Sequence, residues 1–110
     1  MSVDGIWQVE MAGLYGWEPV ATAFLHNGNY WSGSENSHSV GNYEVSGNQI
    51  EISVVAVQHG KVRTVFGKKT RKMDIKLKGK IKNDKIEGQA SDEDGVYQIT
   101  FRATHLENLP

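Results

Sequence analysis

The amino-acid sequence predicts an all-β fold in which residues 1–110 form a single eight-stranded antiparallel up-and-down barrel. Short segments alternate apolar and polar residues with the period of two that is typical of β-strands, and turn signals rich in Gly and Asn separate them. No segment of ten or more residues has the period of an amphipathic helix. Closure into a barrel leaves no exposed sheet edge, while a β-sandwich is the alternative because strand number alone does not determine closure.

The first four strands are predicted at 4–12, 18–26, 29–34 and 38–45. In the first strand, Trp7, Val9 and Met11 occupy alternate positions, so their side chains share one face. The Asn-Gly pair at 27–28 predicts a tight hairpin, because both residue types accept the positive φ angles of such a turn. A second turn signal, SGN at 46–48, follows the fourth strand.

The last four strands are predicted at 49–57, at 72–82, around 86–90 and at 96–105, with a loop containing Gly60 and Gly67 after the fifth. Segment 72–82 alternates most regularly, with its lysines and single aspartate outward and its apolar residues inward. Large side chains expected to fill the interior are Phe24, Ile75, Leu77, Tyr97 and Phe101. Small inward residues expected to leave space are Gly79, Gly88, Ala90 and Ala103.

The composition excludes several classes of site. There is no cysteine, so a disulfide framework, a thiolate metal site and a cysteine nucleophile are excluded. No apolar stretch approaches the ~20 residues that a membrane-spanning helix needs, and the first residues lack the basic and apolar regions of a secretory signal. We therefore expect a cytoplasmic protein without a membrane partner.

The net charge is only −1, but the charges are strongly separated along the chain. Residues 1–60 contain six acids and no Lys or Arg, whereas residues 61–85 contain eleven of the twelve basic residues. Residues 86–110 contain five acids and one basic residue, Arg102. Such asymmetry is typical of proteins that have a charged partner.

The sequence contains no recognisable catalytic constellation. The four histidines are His26, His38, His59 and His105. No two of them have the sequence spacing of metal ligands, and none has an acidic residue at a spacing typical of a metal or catalytic site. The segment SHS at 37–39 places adjacent side chains on opposite strand faces, which is poor geometry for a nucleophile and its base. No glycine-rich phosphate loop precedes a helix. We therefore expect no enzymatic activity, no cofactor and no metal, and we interpret the histidines as isolated surface or turn residues.

Segment 27–45 is rich in Gly, Ser, Asn and aromatic residues, a combination that is usual at the mouth of a small-ligand cavity. The aromatic candidates for a cavity are Tyr30, Trp31, Tyr43, Tyr97 and Phe101. Polar groups beside them are expected from Ser32, Ser34 and Asn42. Alternatively, the glycines of this segment relieve crowding at a bend of the barrel.

Two charged features are candidates for contact with a partner. The lysine row consists of Lys76, Lys78, Lys80 and Lys82, whose side chains share one face about 6.6–7 Å apart. The acidic loop consists of Asp92, Glu93 and Asp94. A solvated face and a charged hairpin turn are the respective alternatives, since the loop lacks the ligand spacing of a calcium site. The lysine row has no interleaved aromatic residues, which argues against nucleic acid as the partner.

Gly5 and Trp7 form a Gly-x-Trp signature on the first strand, a pattern similar to the start of lipocalin-like barrels. The resemblance implies a structural plug, in which Trp7 closes one end of the barrel and stacks beneath an arginine of a late strand. Arg102 is the candidate for this contact, a cation–π interaction of about 0.5–2 kcal/mol. Alternatively, Trp7 is simply an aromatic residue of the core.

Several segments resemble the GrlR-like proteins, which include a negative regulator of bacterial type III secretion. They are DGIWQVEM at the start, a G-x-Y-x-V strand at 41–45, a VFG loop at 65–67 and a G-x-I-x-x-D-x-I-x-G hairpin at 79–88. The resemblance covers nearly the whole chain. It implies a small calycin-type barrel of eight strands that forms homodimers, with a member that binds a helix-turn-helix transcriptional activator.

One feature of the type III secretion regulator in that family is absent from this chain. That protein carries an acidic run in the turn before its fifth strand, whereas the corresponding turn of this chain, Ser46 to Gln49, is neutral. The acidic loop belongs to a different hairpin, so the partner-binding role is not transferred to it. The resemblance implies a regulatory binding protein that acts by protein–protein contact, including negative regulation of a transcriptional activator. The alternative is a small carrier or sensor that binds an apolar or lipid-like ligand inside the barrel.

Overall fold

The computed structural model of the chain describes residues 3–110, which form ten β-strands. The strands are β1 (Gly5–Gly13), β2 (Gly16–His26), β3 (Asn29–Gly33), β4 (Ser37–Ser46), β5 (Gln49–Gln58), β6 (Thr64–Val65), β7 (Lys68–Lys69), β8 (Lys72–Lys82), β9 (Lys85–Asp92) and β10 (Gln98–Glu107). Eight of them close into a barrel in the order β1, β10, β9, β8, β5, β4, β3, β2. The predicted eight-stranded antiparallel up-and-down barrel is therefore confirmed. Within the described residues, no helix is long and apolar enough to cross a membrane.

The predicted strands agree with the observed ones to within two residues at each end. In the turn between β2 and β3, Asn27 and Gly28 have φ angles of 50° and 81°, as the Asn-Gly sequence predicts. Two differences affect the functional interpretation. The loop after β5 contains a small two-stranded hairpin, β6–β7, and the last barrel strand begins at Gln98, so Tyr97 lies before it.

Alternate residues of the eight barrel strands form one core. The largest fully buried side chains are Leu25, Ile86 and Phe101. Phe24 is 40% exposed, so the prediction that it fills the interior is wrong. Strand β2 carries apolar residues on both faces, and Leu25 occupies the inner position beside it.

Two glycines allow neighbouring strands to approach more closely than any other residue would. A Cβ atom at Gly41 of β4 would lie 1.9 Å from the carbonyl oxygen of Ser53 on β5. A Cβ atom at Gly88 of β9 would lie 1.9 Å from the carbonyl oxygen of Lys78 on β8. A larger residue at either point would collide with the backbone of the paired strand, so Gly41 relieves crowding between β4 and β5.

The two ends of the barrel are closed in different ways. At one end Trp7 is buried, and its indole Nε1 donates a hydrogen bond to the carbonyl oxygen of Val3 at 2.9 Å. The β6–β7 hairpin joins the last residues of β5 to the first residues of β8, at the opposite end. Phe66 of this hairpin is 4% exposed and belongs to the core, so the hairpin packs onto the barrel.

Candidate functional site

The structure separates the five aromatic candidates for a cavity into two groups. Tyr30, Tyr43 and Phe101 point inward and are buried. Trp31 is 43% exposed and Tyr97 is 58% exposed, so their assignment to a cavity wall is wrong. Tyr30 and Trp31 are adjacent on β3, and neighbouring side chains of a strand point to opposite faces. The five residues therefore do not form a single site.

Tyr43 contributes to closure of the Trp7 end. Its hydroxyl donates a hydrogen bond to Oδ1 of Asp4 at 2.8 Å. The same carboxylate accepts a hydrogen bond from the backbone N–H of Asn27 at 3.3 Å and lies 3.4 Å from Nδ1 of His26. Burial and the bond to Asp4 raise the pKa of the Tyr43 hydroxyl, so it remains protonated and keeps donating. Tyr43 thus ties β4 to the start of the chain.

The predicted stacking of Arg102 on Trp7 is wrong. The guanidinium carbon of Arg102 lies 4.2 Å from the centre of the Trp17 ring, and its Nε donates to Oε1 of Glu10 at 2.9 Å. Trp7 instead meets His105 edge-on, with ring centres 5.2 Å apart. The reason is that Trp7 points into the barrel, whereas Arg102 is paired with Glu10 on the outer face. Trp7 is a buried core residue of the closed end.

The lysine row lies on the outer face of β8, as predicted, and its members are exposed. Strand pairing places acids beside it: Glu51 is opposite Lys78, and Glu87 is opposite Lys80. Glu51 also forms an ion pair with Lys76 at 3.1 Å. Exposed ion pairs of this kind contribute only about 0–1 kcal/mol each, but they reduce the local positive potential. The row is therefore a surface of mixed charge.

The acidic loop secures the hairpin, because Asp92 is buried and is not available to a partner. Its carboxylate lies 2.9 Å from Nζ of Lys68, and the backbone N–H of Gly95 donates to its Oδ1 at 3.1 Å. Lys68 also pairs with Asp94. The ion pair with Lys68 lowers the pKa of Asp92, and the two carboxylates raise the pKa of Lys68. The prediction that Asp92 binds a partner is wrong, and only Glu93 extends from this loop without these constraints on its side chain.

The conformation of the hairpin turn explains the position of Tyr97. Phe66 is buried with a φ of 51°, and Gly67 follows with a φ of 74°. A Cβ atom at Gly67 would lie 2.8 Å from the Tyr97 ring, so the ring covers the glycine backbone closely. The turn therefore favours glycine for its φ angle, and the Tyr97 ring would have to move to admit a larger residue.

We expect Lys68→Met to destabilise the protein at neutral pH, since it leaves the buried Asp92 carboxylate without its cation. Because the pKa of Asp92 is lowered in the folded state, the stability from this pair is present above the carboxyl group's ordinary value of about 3.9 and is lost as the pH falls through the lowered value. Urea unfolding at neutral and acidic pH should therefore show a smaller acid-induced loss in the variant than in the wild type.

The control for this prediction is Lys69→Met, which removes the neighbouring exposed charge of the same hairpin. It should leave both the stability and its dependence on pH nearly unchanged. Equal behaviour of the two variants would show that the Lys68–Asp92 ion pair does not hold the hairpin.

The interpretation of the histidines as isolated surface or turn residues is wrong. His26 lies beside Asp4 and His105 meets Trp7, while the other two contact each other. Nδ1 of His38 lies 2.9 Å from Nδ1 of His59, and Nε2 of His59 lies 3.0 Å from the carbonyl oxygen of Glu35. The two residues are 21 positions apart, and the pairing of β4 with β5 brings them together. Among residues 3–110, no three or more His, Cys, Asp or Glu side chains are grouped to hold a metal ion.

The outer face carries an apolar feature that sequence reasoning missed. Consecutive strand pairs place five apolar residues side by side across β1 to β5. We call them the apolar row: Ile6, Phe24, Trp31, Val40 and Val55. Three of them are well exposed, at 40% for Phe24, 43% for Trp31 and 52% for Val40. Each strand contributes one member, so the row becomes visible only when the register is known.

A groove of about 890 Å³ continues from the apolar row over β4, β5, β8 and β9. Its apolar side is formed by Val40 and Val55, and polar side chains such as Ser53, Lys76 and Gln89 line the rest. Most of these side chains point away from the interior, so the groove belongs to the outside of the barrel. The outer face thus offers an apolar edge next to a polar depression.

A scan with protein-family models found no match to this chain, and a search of curated proteins found none.

Proposed function

We propose that this protein is a small binding barrel that acts by contact with other proteins and not as an enzyme. The observation that carries the proposal is the apolar row on the outer face. Exposed apolar side chains that are contiguous mark interaction surfaces, whereas scattered ones need no explanation. Aromatic residues such as Phe24 and Trp31 are also enriched at the centres of protein interfaces.

The first partner that we propose is a second copy of the chain, packed through the apolar row. In a two-fold symmetric dimer the same patch meets itself, so charges next to the patch would repel their own copies. Beside the four members on β2 to β5, the positions that flank the row along the strands are uncharged or histidine: Thr22, Gly33, His38, Val57, His26, Asn29, Asn42 and Ser53. Acids lie at the two ends of the row, since Asp4 is two residues before Ile6, Glu107 is opposite Ile6 and Asp74 is opposite Val55. No Lys or Arg occurs in residues 1–60. The uncharged centre of the row favours self-association.

Surface contact is favoured over transport of an apolar ligand by the packing of the interior. The half of the barrel nearest Trp7 is filled by large buried side chains, including Leu25, Tyr30 and Ile86. At the other end Phe66 of the hairpin is packed into the core. An eight-stranded barrel has an interior that side chains can nearly fill, and this chain places large residues at both ends.

We propose a more specific role within this binding function, similar to that of the GrlR-like proteins. The protein would be a cytoplasmic regulator that binds a transcriptional activator stoichiometrically and keeps it from acting. This role is supported by the segments that resemble that family and by the outer groove next to the apolar row. The groove has mixed charge, since Asp74 and Glu93 lie at one end and Lys78 lies further along β8. Such a surface favours a specific protein over a uniformly charged polymer.

Trp31→Glu is expected to convert a dimer into a monomer, because it places a charge at the centre of the apolar row. Size-exclusion chromatography with light scattering, over a range of protein concentrations, measures this change. Tyr15→Glu is the matched control, since Tyr15 is an aromatic residue that is 92% exposed and lies outside the row. A wild-type protein that remains monomeric at high concentration, or a Trp31→Glu protein that remains dimeric, would contradict self-association through this row.

A further inference from the structure

We propose that His38 and His59 form a binding site for one divalent transition-metal ion of the zinc class. His38 is the second residue of β4, and His59 follows the last residue of β5. Their Nδ1 atoms are 2.9 Å apart, their ring centres are 5.1 Å apart, and the ring planes differ by only 17°. The rings therefore meet edge to edge with both Nδ1 atoms directed at each other.

The hydrogen bonds at this pair require one arrangement of protons on the neutral rings. The carbonyl oxygen of Glu35 can only accept, so Nε2 of His59 carries a hydrogen and donates it. Nδ1 of His59 then has a lone pair, and it accepts a hydrogen bond from Nδ1–H of His38. The structure thus presents an imidazole lone pair that is already directed at a second ring nitrogen.

This arrangement is similar to a ligand shell for a metal ion. A histidine that binds a metal nearly always donates its other ring N–H to a carbonyl, carboxylate or water, which sets the tautomer. His59 makes this bond to Glu35. When His38 moves its hydrogen from Nδ1 to Nε2, a second lone pair faces the first, and a cation replaces the hydrogen between them. No net change in the number of protons is needed.

The geometry requires the two rings to separate and to tilt, because their Nδ1 atoms now point head-on at each other whereas a tetrahedral ion holds its ligands at an angle of about 109°. A tetrahedral zinc ion with two imidazole ligands holds their nitrogens about 3.3 Å apart, given bond lengths of about 2.0–2.1 Å. The Nδ1 atoms must therefore separate by a few tenths of an ångström from 2.9 Å. Both side chains are exposed, so the rings can rotate, and water can complete the coordination. With two protein ligands, the ion is expected to exchange readily.

The two imidazoles also define the class of ion. Imidazole nitrogen suits zinc, copper and nickel, whereas magnesium and calcium prefer carboxylate and carbonyl oxygen. Arg71 binds the backbone on both sides of His59: its Nη1 donates to the carbonyl oxygens of Gln58 at 2.6 Å and Gly60 at 3.3 Å. These bonds fix the backbone that carries His59. Glu35 contacts the pair through its backbone carbonyl oxygen, which holds His59 in place.

A bound ion would reinforce the base of the β6–β7 hairpin. The backbone N–H of Gly60 already donates to the carbonyl oxygen of Asn36 at 3.0 Å, and the histidines join the same two loops. An ion that binds the folded state and not the unfolded chain raises stability by mass action. We therefore expect zinc to increase the midpoint of thermal unfolding of the wild-type protein.

The test is isothermal titration calorimetry of zinc chloride into the full chain without an affinity tag, with magnesium chloride as a second titrant. We expect one zinc site per chain and no magnesium binding. His38→Gln and His59→Gln should each weaken zinc binding about tenfold or more. His26→Gln is the matched control, because His26 is exposed and contacts Asp4 at the other end of the barrel; it should bind zinc like the wild type.

A second measurement uses the wild-type protein and so does not depend on the folding of the variants. Zinc should shift the ring nitrogen resonances of His38 and His59 in NMR spectra, and leave those of His26 and His105 in place. The proposal is overturned if zinc does not bind, if it shifts other histidines instead, or if the two variants bind zinc as well as the wild type. In those cases the two rings make only their mutual hydrogen bond.

Discussion

Replacing Gly41 with alanine is expected to destabilise the barrel by more than about 4 kcal/mol, a range that single substitutions seldom reach. The new Cβ atom would lie 1.9 Å from the carbonyl oxygen of Ser53 and 2.7 Å from Cα of Val54. Both are backbone atoms of the paired strand β5, so relief of the clash requires that hydrogen bonds between β4 and β5 break. Urea unfolding followed by far-ultraviolet circular dichroism measures the effect. A variant that cannot be obtained in folded form would show the largest destabilisation.

Gly33→Ala is the control for this prediction. A Cβ atom at Gly33 of β3 would meet no atom within 4 Å, and its φ lies outside the left-handed region. Alanine at such a position is tolerated and can stabilise by about 0.4–1 kcal/mol, because it restricts the unfolded chain. A Gly41→Ala protein as stable as Gly33→Ala would show that β4 and β5 do not approach as closely as described.

Replacing Trp7 with alanine should cost about 3–5 kcal/mol, as expected for removal of a large aromatic side chain from a core. Trp7 is 2% exposed, contacts the His105 ring and donates a hydrogen bond to Val3. The substitution therefore leaves a cavity at the closed end of the barrel and removes the donor for a buried carbonyl. The free energy of unfolding in urea measures this loss.

Trp17→Ala is the matched control, since Trp17 is 40% exposed and contacts Arg102 on the outer face. Loss of that cation–π contact should cost about 0.5–1 kcal/mol. Equal costs for the two substitutions would contradict the assignment of Trp7 as the core aromatic of this end, and a cost below about 1 kcal/mol at Trp7 would do so as well.

The functional features of the molecule arise mostly from contacts between distant segments. Lys68 and Asp92 come from the hairpin and from β9. His38 lies near the start of β4 and His59 follows the end of β5, 21 positions away along the chain. The sequence shows the acidic loop as a cluster of charge, but its composition does not indicate that one carboxylate is buried. Burial depends on the hairpin that covers it, and that hairpin consists of only two residues per strand.

The errors in assigning faces have a local cause. In β3, Tyr30 and Trp31 are adjacent aromatic residues, so alternation alone does not determine which one points inward. Strand β2 poses the same problem, because Phe24 and Leu25 are both large and apolar. A register shift between Val9 and Glu10 in the β1–β2 pair adds to the ambiguity. A shift of one residue exchanges the two faces of a strand.

The sequence by itself determined the number of barrel strands, their approximate bounds, and the absence of cysteine chemistry. These properties depend on alternation and turn residues, which act over a few neighbouring positions. The tertiary structure alone decided which side chains share a surface. The apolar row takes one residue from each of five strands, and the histidine pair needs the register of β4 on β5. Register is set by closure and packing of the whole barrel, so it is not encoded in any single strand.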